Sequence, residues 1–157
     1  MKTVLIDGDQ IAYLCCFACE HEIDWGENDI TLTTSKFDLA SALDSQIKKA
    51  LKETEATSVR IAVSNAENFR KDIYSEYKAN RTARKPLGLK WCLEYLQEKH
   101  KAETHIGIEA DDLIGIWAAN NHDNIIWATD KDYLTVPCML YRCNELLIIS
   151  EEEADHY

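Results

Sequence analysis

Seven carboxylates in three short groups are the side chains of this sequence best suited to chemistry. They are Asp7 and Asp9, then Glu109, Asp111 and Asp112, then Asp130 and Asp132. The first group follows the apolar run KTVLI and the last follows NIIWAT, while the middle one opens an apolar stretch of helical character. A single such group can simply answer the positive end of a helix, worth about 0.3–1 kcal/mol per residue. Three groups at strand ends, gathered by the fold, would repel one another without a counter-ion. Oxygen-only ligation suits Mg²⁺ or Mn²⁺ rather than zinc. Glu109 and Asp112 are three apart, so a helix puts both on one face. Asp111 then points about 100° away. Asp130 and Asp132 are two apart, and an extended backbone aims both to the same side. For Asp9 two readings stand: a member of the acidic group, or a cap on the following helix.

A second kind of chemistry lies between these groups. Residues 70–101 hold nine Lys/Arg against four Asp/Glu, whereas the whole chain carries a net charge of −11. Within this basic stretch, Tyr74 and Tyr77 alternate with Arg70, Lys71, Lys78, Arg81, Arg84 and Lys85. Aromatics interleaved with cations suit unstacked bases and phosphates together. The bland alternative is a solvated, charged surface. Carboxylates for cations beside a cationic strip for phosphates is the pattern of a metal-dependent phosphoester enzyme.

The elements that must position these residues alternate. Lys2–Ile6 reads as a buried strand, and Gln10 to about Glu20 as a helix. Asp24–Asp29 is a turn, and Ile30–Thr34 a hairpin arm. Ser35–Glu53 has apolar residues at helical spacing with Ser35 as its N-cap. Ser58–Val63 is a strand, Asn65–Pro86 a long polar connection, Leu87–Gln97 a helix and Ala102–Ile106 a weak strand. Glu109–Asn120 is a helix and Asn124–Thr129 a strand. Met139–Arg142 and Leu146–Ile149 form a hairpin around Asn144. Strands alternating with helices imply an α/β fold of three layers, α/β/α, with a mostly parallel sheet. Ligands of such sheets bind beyond the carboxyl ends of the strands. The segment from about 68 to 86 carries many like charges and few large aliphatic side chains, so it is expected to bury little and to move.

With 157 residues, the chain is long enough for a sizeable core. No apolar run approaches the roughly 20 residues of a membrane span, and nothing at the start reads as a signal peptide. Cys16 and Cys19 form a C-x-x-C beside Cys15 and His21, but Cys92, Cys138 and Cys143 lack the spacing of a second zinc-binding pair. Reduced thiols packing a helix are the expectation.

Four segments taken in order carry a resemblance: LIDGDQIAY, NFRKDIYSEYKANR with RKPLG, IEADDLIGIWA, and ATDKDYLTVP. Together they resemble the phage and bacterial 5′→3′ exonucleases of the flap-endonuclease superfamily, closest to the short phage exonucleases. The resemblance implies a PIN-like nuclease domain over 1–157 with an arch-like basic connection at about 68–86. It also implies a metal-dependent phosphodiesterase acting on DNA with a 5′ end or flap. Asp7, Glu109, Asp111 and Asp112 match first-site ligands for Mg²⁺ or Mn²⁺; Asp130 and Asp132 match second-site ligands. Lys78 and Arg81 match the family's catalytic basic pair at the scissile phosphate. With Arg70, Tyr77, Arg84 and Lys85 they form the expected DNA-binding set. A cytoplasmic location is implied, that of the host cell for a phage-encoded chain, with no membrane partner.

Two departures accompany the match. Asn65 stands where the family usually has an aspartate. The family's G-D-x-x-D segment and helical duplex-binding module also have no counterpart in the sequence. The second metal site is therefore expected to be incomplete, and a separate C-terminal duplex-binding polypeptide is a candidate partner. Two other readings remain. One is a non-catalytic DNA-end- or partner-binding module derived from the nuclease. The other is a phosphatase of the haloacid-dehalogenase type, with Asp7 of Asp7-Gly8-Asp9 as nucleophile.

Overall fold

A computed structural model describes residues 1–65 and 84–156. Arg70, Tyr77, Lys78 and Arg81 lie outside the described residues, as does most of the expected arch. In chain order the elements begin β1 (Thr3–Asp7), α1 (Gly8–Ala18), β2 (His21–Asp24), β3 (Ile30–Thr33), α2 (Lys36–Thr54) and β4 (Ser58–Ala62). They continue with α3 (Leu89–Lys99), α4 (Ala110–Asn120), β5 (Asn124–Trp127), a 3₁₀ turn (Lys131–Thr135), β6 (Cys138–Arg142), β7 (Glu145–Ile149) and α5 (Glu151–Ala154).

Five strands form the main sheet in the order β4-β1-β5-β6-β7. β1 pairs in parallel with both β4 and β5, β5 in parallel with β6, and only β7 runs antiparallel. β1 reads as continuous hydrophobicity because both of its faces are covered. Val4 and Ile6 join the core beneath α1, α2 and α3, and Leu5 joins the core beneath α4. Helices on both faces give the three-layer α/β/α arrangement expected from the alternating pattern. Because the chain leaves β1 toward β4 and later returns to β5 on its other side, β1 lies at the topological switch point.

Gly8 is where α1 meets the sheet most closely. A Cβ there would lie 2.7 Å from the Ala62 carbonyl oxygen and 2.9 Å from methyl carbons of Ile61 and Val63. Glycine therefore lets the helix start against β4, directly behind Asp7. Ser35 caps α2, accepting from the Asp38 N–H, as its sequence position predicts. Residues 102–106 do not form a full strand. Glu103 alone bridges to β4, through bonds to Ile61 O and from Val63 N, before the backbone turns away at Gly107 with φ 82°.

Four of the six cysteines behave as small apolar side chains. Cys15, Cys16, Cys19 and Cys92 are buried between α1 and α3, and Cys16 Sγ donates to Cys92 Sγ at 3.4 Å. Burial pushes the Cys15 thiol up to about 11, which keeps it protonated and unreactive. Among the described residues, no helix is long and apolar enough to cross a membrane.

Candidate metal centre

Asp7 ends β1 and is the N-cap of α1. Its Oδ1 accepts the Gln10 N–H at 3.1 Å. The helix cap is thus Asp7, and Asp9 is released for another task. Asp9 instead accepts the Ser64 backbone N–H, at 3.1 Å to Oδ1 and 3.3 Å to Oδ2. Ser64 lies just past β4, so this bond joins the exits of β1 and β4.

Asp7 Oδ2 accepts a hydrogen bond from the Tyr133 hydroxyl at 3.2 Å. Burial, reinforced by the charges of Asp9 and Asp111, pushes the Asp7 carboxyl up to about 7. Burial, with the charges of Asp7 and Asp111, pushes the Tyr133 phenol well above its ordinary value, so it stays a donor. These mutual influences show that the first and second acidic groups have been brought together. Each Asp7 oxygen retains a second acceptor direction beyond the bond it makes.

Glu109 occupies the N-cap position of α4, yet its side chain makes no capping bond. Carboxylate oxygens of Glu109, Asp111 and Asp112 all lie within 4.8 Å of one another. Glu109 is 4% exposed. An all-oxygen set of this compactness fits a hard divalent cation. Helical spacing foresaw Glu109 with Asp112; it set Asp111 about 100° away, whereas an Asp111 oxygen lies within the same group.

The third group is placed differently from its expected geometry. Asp130 caps the 3₁₀ turn, its Oδ1 accepting the Asp132 N–H at 2.9 Å. The backbone from 131 is therefore coiled, and the two side chains are not aimed alike by an extended strand. A short polar side chain that can bond two residues ahead favours such a turn over continued strand. Both residues are exposed at the carboxyl edge of the sheet, outside the compact group of three. Gln10 Nε2 donates to Thr129 Oγ1 at 3.0 Å and ties the exit of β5 to α1.

Arg84, expected to contact DNA, forms an intramolecular pair. Its two terminal nitrogens each donate to a Glu20 oxygen at 2.7 Å. Glu20 also accepts the Leu87 N–H, and these bonds, the Arg84 pair first, lower its carboxyl to about 2. Lys85 is exposed.

The sequence reading passed over Tyr133 and Ser64. Tyr133 is one residue after Asp132 and is 3% exposed, an aromatic set directly behind an acidic turn. Ser64 follows an apolar strand and precedes Asn65, which offers no pattern to notice. Asn65 itself donates its N–H to Ile108 O at 3.4 Å, beside the start of α4.

The model of the 5′-3′ exonuclease N-terminal resolvase-like domain matches residues 2–154. No curated protein matches the sequence. The T5 D15 protein, crystallised with metal ions, is similar with a TM-score of 0.63 and 18% identity, over 99% of this chain and 60% of that one. A mutant of T5 5′-exonuclease gives a TM-score of 0.57 and 16% identity, over 95% of this chain and 53% of that one. The chain thus spans little more than half the length of these neighbours. The phosphatase reading of Asp7-Gly8-Asp9 does not survive the match. A sheet with β1 at its switch point, acidic groups along its carboxyl edge and a family model covering residues 2–154 place this chain in the 5′-3′ exonuclease N-terminal resolvase-like domain family.

Proposed function

We propose that the chain is the catalytic domain of a divalent-metal-dependent 5′→3′ exonuclease or flap endonuclease that hydrolyses DNA phosphodiesters. The observation that carries this reading is the compact trio Glu109, Asp111 and Asp112 beside Asp7, at the carboxyl edge of the sheet in a nuclease family fold. Asp7 and the trio hold the first Mg²⁺ or Mn²⁺, and Asp130 and Asp132 contribute to a second. A bound cation supplies Lewis acidity toward a phosphoryl oxygen and lowers the pKa of nearby water. Tyr133 keeps Asp7 oriented and stays protonated. Lys78 offsets charge that grows on the phosphorus in the transition state. Arg81 holds a backbone phosphate, with Arg70 and Lys85 extending the basic track, and Tyr77 stacks on a base. Arg84, paired with Glu20, belongs to the same track.

The residues between 68 and 86 serve as the arch, and residues 1–157 act as one nuclease domain. DNA with a 5′ end or flap is the substrate class. Because the structural neighbours are longer, the full activity is proposed to need a duplex-binding module supplied by further polypeptide. The test is incubation of the chain with end-labelled duplex, flap and single-stranded DNA in Mg²⁺ or Mn²⁺, alone and with a supplied C-terminal module. Metal-dependent release from labelled 5′ ends supports the reading. Binding of DNA ends without cleavage in both arms supports instead a non-catalytic end-binding module.

A further inference from the structure

We infer that Ser64 is a positioning residue for the cation-holding carboxylates. The inference rests on the reading that those carboxylates bind a divalent cation. Ser64 touches two acid-bearing elements at once. Its backbone N–H donates to the Asp9 carboxylate on α1, at 3.1 and 3.3 Å. Its hydroxyl oxygen accepts the Ala110 N–H, the first of α4, at 2.9 Å.

That second bond has a specific consequence. The first N–H groups of a helix lack partners inside it, and a side chain at the N-cap ordinarily serves the second or third of them, so the first needs another acceptor. Here the N-cap residue is Glu109, and its side chain makes no capping bond. Ser64 serves the Ala110 N–H from another element and so fixes the start of the helix whose first turn carries Glu109, Asp111 and Asp112. Through one residue, the first turn of α1 with Asp7 and Asp9 is tied to the first turn of α4 with its trio. Mg²⁺ demands near-ideal octahedral geometry, so small displacements between ligand-bearing elements weaken binding before they unfold the protein. Ser64 acts through the carboxylates and needs no contact with the reacting atoms.

The test compares the parent with Ser64→Ala and Ser64→Thr. Mn²⁺ affinity is read by electron paramagnetic resonance, and melting temperature is read with and without metal. Ser64→Ala is expected to raise the Mn²⁺ dissociation constant by about 10–100-fold, the usual effect of losing a partner that orients ligands. Ser64→Thr keeps the hydroxyl and should bind Mn²⁺ as the parent does. If Ser64→Ala lowers the metal-free melting temperature yet binds Mn²⁺ like the parent, Ser64 is only a structural cap and the inference is overturned. If the parent binds no Mn²⁺, the cation reading itself fails. Should Ser64→Ala not fold, Ser64→Cys removes the hydroxyl acceptor with little change of volume or charge. Weakened Mn²⁺ binding in that folded variant supports the inference, and unchanged affinity overturns it.

Discussion

Asp7 serves the fold in three ways: it ends β1, caps α1 and bonds Tyr133. Its carboxyl is pushed up to about 7, mainly by burial and then by Asp9. A carboxyl whose folded pKa exceeds its unfolded value costs nothing below the unfolded pKa. The cost grows as pH rises through the window from the ordinary carboxylate range to about 7. Metal-free protein should therefore lose stability across that window. Asp7→Asn should melt at least about 2–4 °C higher than the parent near pH 8, and at the same temperature near pH 4, in chelator. Thermal melts at the two pH values check this. Metal should reverse the order. An ion bound to the native state at 100 times its dissociation constant contributes about 2.7 kcal/mol. Asp111→Asn and Asp7→Asn should lose most of that gain, measured as the Mg²⁺-dependent rise in melting temperature.

At the scale of elements, the approach of α1 to β4 and the Glu20–Arg84 pair carry the next expectations. Gly8→Ala places a methyl group 2.7 Å from the Ala62 carbonyl oxygen, which backbone cannot yield cheaply. Overpacking of this kind costs about 1–3 kcal/mol. Because α1 starts at Gly8, the shift also moves Asp7 and Asp9, so divalent affinity should fall together with the denaturation midpoint. The Glu20–Arg84 pair follows the opposite pH rule to Asp7. Glu20 is lowered to about 2, so its contribution is present above the ordinary carboxylate range and is lost as pH falls toward 2. Glu20→Gln should speed exchange of the Leu87 amide at neutral pH, and the difference from the parent should vanish in acid. Hydrogen-exchange mass spectrometry reads both outcomes.

For the molecule as a whole, net charge and its distribution set how the proposed DNA substrate would be met. A chain at −11 repels nucleic acid except along its basic stretch, so binding should weaken steeply with salt. Carboxylate variants such as Asp130→Asn should cut single-turnover cleavage while binding survives or tightens. Lys78→Ala should slow the chemical step by about 100-fold, the usual loss when one stabilising charge or donor leaves a transition state. Arg81→Ala should mainly weaken binding and flatten the log–log salt dependence by about 0.7–0.9 per lost contact. Equal binding and equal salt slope in both basic variants would reduce the stretch to a solvated surface. These measurements use whichever form is active, the chain alone or with its added module.

Local pattern alone determined much of this protein. The continuous apolar run of β1, the helical spacing in α2 with its Ser35 cap, and the placing of Glu109 and Asp112 three apart were legible because each depends on neighbours in sequence. The alternation of strands and helices was enough for the three-layer fold. What the pattern could not decide was which bond a polar side chain prefers when several are within reach. Asp9 as a cap and Asp9 on Ser64 are equally good locally. Only the packing of β4 beside β1 makes the second available. Asp130 bends its own backbone into a turn rather than extending it, and so re-aims Asp132. Arg84 reads as one cation among many until the fold brings Glu20 against it, 64 residues away in sequence. Tyr133 reaches Asp7 across 126 residues. Hydrogen bonds between distant elements depend on coordinates that no short window of sequence contains.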